Sequence, residues 1–146
     1  MTLRAWHLPV RLATGAFILN SGISKLKETD EERFKQIHGM AANAYPAFES
    51  MEPATFTKLL ASGEVALGAA LLLPFVSSGL AGLGLTAFSG GLVGLYMRTP
   101  AMREHDSLRP SPQGMAVAKD TWMLAIGTGM VMDAAAERVR RLVRRP

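Results

Sequence analysis

No cysteine occurs in the chain, which excludes disulfides, thiol relays, iron–sulfur clusters and thiolate zinc sites made from its own residues. Any sulfur or electron chemistry has to come through a partner or a diffusible cofactor. Charge is scarce as well, with 19% of residues charged against 49% hydrophobic. The scarcity is concentrated in one place: from Val65 through Met97 there is no charged residue. Such a stretch is far longer than the roughly 20 residues that span a bilayer. Pro74 and Ser77–Gly79 divide it into two pieces, each long enough to cross once. A water-soluble domain of 146 residues has little use for two such segments, so the chain reads as a membrane protein. Histidine is also sparse. His7, His38 and His105 show no metal-ligand spacing, and no haem or metal site is expected.

Four apolar segments can be drawn, predicting helices at about 8–26, 55–73, 79–97 and 114–132, with a basic tail over 133–146. The expectation is an all-α fold: a single-domain integral membrane four-helix bundle, with an amphipathic extramembrane helix between its first two spans. The first segment lacks a small-residue cleavage motif and is read as a retained helix. The net charge of +4 and pI near 9.9 do not point to nucleic acid, because five arginines fall in the last nine residues, directly after an apolar segment. A basic tail of that kind is a topology signal with contact to the bilayer, and it predicts a multi-pass protein of the inner (cytoplasmic) membrane with both termini cytoplasmic.

The loop Lys27–Ala54 opens on acidic residues, then places Phe34, Ile37, Ala41, Ala44 and Phe48 at helical spacing. That pattern suits a helix lying on the membrane surface or capping the bundle. The later loop, from Arg98 to Gly114, is polar and proline-rich and predicts irregular structure. In the third segment Gly90 and Gly94 form a G-x-x-x-G pair, which suits close helix packing within the chain or between copies.

Glu64 stands near the middle of the second segment. By depth, Asn20, Ser21, Lys25, Ser89, Lys119 and Asp120 fall between it and the end of the bundle away from the termini. Ionisable groups at membrane depth are kept when they pair or when they work. Lys119 and Asp120 diverge by about 100° on a helix, so they cannot both aim at one point. Lys119 or Asn20 is therefore the expected partner of Glu64, with Asp120 turned toward Lys25 or Arg98. The cluster is either a clamp that fixes helix register or a pocket for a quinone head group, a small anion or a proton. No catalytic residue is assigned.

The stretches "RLATGAFILNSGISKL" and "GEVALGAALLLPF", a glycine-rich third segment and "AKDTWMLAIG" together resemble the DoxX family of small four-helix bacterial membrane proteins. The likeness covers about Arg11–Met132, and Glu64 matches the family's acidic position. The Arg, Ala and Gly usage looks like an actinobacterial member. The resemblance implies an accessory or structural subunit of a membrane redox or quinone-linked complex, without catalytic activity of its own. Its implied company is other membrane or redox proteins, with homo-oligomers allowed, no covalently bound cofactor and a quinone as the diffusible one. Two alternatives accompany it: a small quinone-handling oxidoreductase subunit and a proton-coupled carrier of small molecules.

Overall fold

The computed structural model describes residues 5–143, so Arg4, Arg144 and Arg145 lie outside the described residues. The fold is all-helical, with no strand among the described residues. Its helices are α1 (His7–Leu26), α2 (Glu31–Ala44), α3 (Pro53–Leu72), α4 (Ser78–Arg98), the single turn α5 (Met115–Ala118) and α6 (Thr121–Val143).

Local chemistry sets most of these boundaries. Asp30 caps α2 by accepting from the Glu32 amide, and Glu31 and Glu32 suit the positive end of the helix dipole. Glu52 caps α3 through the amides of Ala54 and Thr55, ahead of Pro53 at the first helical position. Ser77 caps α4 through the Leu80 amide. The other ends are set by proline: Tyr45, Leu73 and Thr99 are all extended, and each precedes a proline.

The helices form two antiparallel pairs, α1 with α3 and α4 with α6. Glycine is required at both crossings. A Cβ on Gly22 would lie 2.8 Å from the Ala61 carbonyl oxygen and the Val65 nitrogen, and one on Gly68 would lie 2.6 Å from the Leu19 nitrogen. In the second pair, a Cβ on Gly127 would lie 2.8 Å from the Thr86 nitrogen. Small residues let helix backbones approach this closely. Ile18, Leu71, Ala81, Leu85, Met123 and Met130 make the core between the pairs. The helix α2 lies across α3 and α4 at the end away from the termini.

The fourth apolar segment differs from the expectation of one helix over 114–132. The helix breaks after Ala118, and the Asp120 carbonyl accepts from the Met123 and Leu124 amides to start α6. Beyond Met132 the chain stays helical to Val143, past the level where Gly79 faces Ala134. Much of the expected basic tail is therefore the last turns of α6. There Glu137 and Arg141, four residues apart on one face, pair at 2.5 Å.

Candidate functional site

At the α2 end of the α1–α3 pair, the Lys25 ammonium donates to both carboxylate oxygens of Glu64, at 3.0 and 2.9 Å. It also donates to Ser21 Oγ at 2.6 Å, so all three of its protons have acceptors. Glu64 is 4% exposed, on the face of α3 that meets Gly22. Lys25 closes the last turn of α1, where a cation suits the negative end of the helix dipole.

This pairing corrects the expected one. Lys119 is exposed at the break between α5 and α6, because the segment is not the continuous helix that would have carried it inward. Asn20 is exposed too, about 140° around α1 from Lys25. Lys25 itself begins near the helix end, but helical side chains tilt toward the N-terminus, and its long stem reaches back to Glu64.

Lys25, Glu64, Ser21 and Asp120 line one cavity of about 800 Å³ beneath α2. Apolar side chains make most of the remaining wall, among them Ile37, Leu60, Phe88, Leu92 and Met123. Asp120 is half-buried and close enough to feel the charges of both Glu64 and Lys25. Its carboxyl group makes no hydrogen bond or ion pair with any described residue. Arg98, its other expected neighbour, instead donates to the Ala44 carbonyl at 3.3 Å and stacks 4.8 Å over the Tyr45 ring. Tyr45 in turn donates to the Gly91 carbonyl at 2.8 Å, fastening the end of α2 to α4. Between α1 and α6 the contact is thin. Phe17 and Trp122, both exposed, meet edge-on there at 6.4 Å and form a seam beside the cavity.

The remaining expected residues fall elsewhere. Ser89 is fully buried, but its hydroxyl donates to the Leu85 carbonyl at 2.5 Å within its own helix. A Cβ on Gly90 would meet nothing within 4 Å, and one on Gly94 would meet the Tyr45 hydroxyl rather than another helix backbone. The close helix crossings use Gly22, Gly68, Gly82 and Gly127 instead.

At the opposite end, Arg11 is 3% exposed and anchors the end of α3. Its Nε donates to the Leu71 carbonyl at 2.7 Å, and its two terminal nitrogens reach the carbonyls of Ala70, Leu73 and Val76 and Ser78 Oγ. A planar guanidinium with five donors is suited to gathering the free carbonyls of a helix end. The sequence signal was an arginine inside an apolar segment. The partners, some 60 residues away, gave no local sign. Nearby, His7 lies 3.3 Å from Asp133 and ties the start of α1 to α6. No group of three metal-ligating side chains occurs among the described residues.

Compared with known proteins, the chain matches no family model, no curated protein and no solved structure.

Proposed function

We propose that the chain is a four-crossing, DoxX-like protein of the bacterial inner membrane, an accessory subunit of a redox-linked assembly, and that its cavity binds the ring head of a quinone-class lipid. The observation that carries this reading is the cavity under α2: about 800 Å³, mostly apolar, with a few convergent polar groups. That size and lining suit a ring of this class. The α1–α6 seam gives a tail a way to remain in the bilayer.

The membrane part of the proposal rests on how the apolar helices are used. α3 and α4 are long and apolar enough to cross a membrane, yet only 33% and 28% of their most apolar windows are buried. A core helix of a soluble protein buries such a surface. Here Leu59, Leu80 and Leu83 are more than half exposed, as are Leu12 and Phe17 on α1 and Met132 on α6. The cations at the end of α6 favour cytoplasmic termini.

The carrier alternative is less well supported, because it needs Glu64 to exchange its partner, and both of its oxygens are held by Lys25. The proposal is tested by purifying the full chain in mild detergent and extracting its lipids. About one quinone per chain is expected, together with a membrane or redox protein, and recovery of a bare monomer would contradict it. The cysteine-free chain also allows topology to be read directly. Ser24→Cys is expected to react with an impermeant maleimide from outside the cell, and Arg138→Cys only from within.

A further inference from the structure

Resting on the cavity's reading as a quinone-class site, we propose that it holds the reduced, hydroxyl-bearing ring in preference to the oxidised one, and that Asp120 is the group that binds it. The two forms share a skeleton and differ in one respect that matters here. A hydroquinone hydroxyl can donate a hydrogen bond, whereas a quinone carbonyl can only accept.

The polar groups of the wall divide into donors and acceptors. Lys25, the one cation on α1 that faces the cavity, already donates to Ser21 and to both oxygens of Glu64. A quinone carbonyl could take one of those protons only by displacing the Ser21 hydroxyl or by loosening Glu64, which is 4% exposed. The Tyr45 hydroxyl donates to Gly91 and is likewise committed. Ser21 and Ser24 hydroxyls can donate or accept, so they do not discriminate between the two forms. Arg33 and Gln36 belong to the exposed face of α2, where water competes for their protons, and the Glu28 carboxylate already accepts from the Thr29 and Asp30 amides. Asp120 remains: a half-buried carboxyl on the cavity wall with no hydrogen bond to a described residue. The interior thus offers an unused acceptor and no unused charged donor. A hydroxyl head fits that balance and a carbonyl head does not.

The test uses the full chain in lipid nanodiscs, with a decyl-substituted benzoquinone and its hydroquinone as probes, the latter measured under argon. Equilibrium binding is expected to favour the hydroquinone by about 10- to 100-fold, the worth of one hydrogen bond to a charged acceptor. Asp120→Asn replaces one acceptor by a donor and is expected to bring the ratio to about threefold or less, mainly by weakening the hydroquinone. A purely structural role for Asp120 would change both affinities together and leave the ratio intact. Lys119→Gln, on the exposed neighbour, is expected to leave both affinities unchanged. Equal binding of the two forms by the unmodified chain would overturn this proposal while leaving the cavity reading standing. Binding of neither form would overturn the cavity reading itself. A ratio unchanged in Asp120→Asn would remove Asp120 from the role. Decylamine competing more strongly than the hydroquinone would show that the carboxylate serves a cation, against the hydroxyl head proposed here.

Discussion

Removing the ammonium from Lys25 while leaving Glu64 in place should be the most damaging conservative change at the α1–α3 crossing. Lys25→Met keeps the length of the stem but takes away three hydrogen bonds and the charge facing Glu64. The carboxylate then has little water to turn to, because its side chain is only 5% exposed. Breaking a buried pair from one side costs about 3–5 kcal/mol. Lys25 itself is 23% exposed, which lets some water in and places the expected loss near the lower figure, about 3 kcal/mol. Glu64→Met should be milder, about 1 kcal/mol, because the freed lysine can swing its head toward water along its flexible stem. The double variant removes both charges and should sit close to Glu64→Met alone, giving a coupling of about 2–3 kcal/mol. Reversible unfolding in mixed micelles, followed by circular dichroism, measures all three. Equal losses for the two single variants, adding up in the double, would refute the reasoning.

The glycine crossings give a sharp contrast: Gly68→Ala pushes a methyl to within 2.6 Å of the Leu19 backbone and should cost about 1–3 kcal/mol or more, whereas Gly90→Ala meets open space and should be neutral or stabilising by up to about 1 kcal/mol. The same unfolding assay compares them. Arg11→Lys keeps the charge but cannot reach five acceptors, and should lower stability by about 2 kcal/mol, with faster amide exchange concentrated at the end of α3. Glu52 responds to pH. The Thr55 hydroxyl first, then the Thr55 and Ala54 amides, hold its carboxyl below the ordinary carboxylate range. Its support of α3 is therefore complete above that range and is lost as pH falls through the lowered value, and Glu52→Gln should flatten this acid limb of the stability curve.

What could be read in advance depended on whether the cause was local. α3 and α4 begin and end within two residues of the segments read at 55–73 and 79–97, because Pro53, Pro74, Pro100 and Ser77 mark their ends along the chain. α2 was legible from the spacing of Phe34, Ala41 and Ala44, which all turn inward. The break at Lys119–Asp120 was not, since nothing in "GMAVAKDTWML" forbids a continuous helix and the interruption depends on how this stretch packs. Ahead of α5, the Gly114 backbone sits so close to Met102 that a Cβ would overlap the carbonyl, another tertiary contact without a local sign.

That break redirected the reading of the site. It left Lys119 exposed and brought Asp120 to the cavity wall. Glu64 was marked by its surroundings in sequence, but its partner was decided by side-chain reach, which spacing does not encode. Arg11 shows the same limit, because its acceptors are backbone carbonyls and carry no residue signature. Gly90 and Gly94 form a recognisable motif, yet the closest helix contacts use glycines that stand in no such pair across their interface.

The cavity is tested most directly by filling it without disturbing the fold. Gly91 lines the cavity, and a Cβ placed on it would meet nothing within 4 Å, so Gly91→Leu should fold while occupying the space proposed for the ring. Gly63 has equally open surroundings but lies outside the cavity, which makes Gly63→Leu the matched control. In nanodiscs the unmodified chain and Gly63→Leu should each bind about one decyl-hydroquinone, and Gly91→Leu should bind none. Undiminished binding by a folded Gly91→Leu would place the ligand elsewhere and contradict the account.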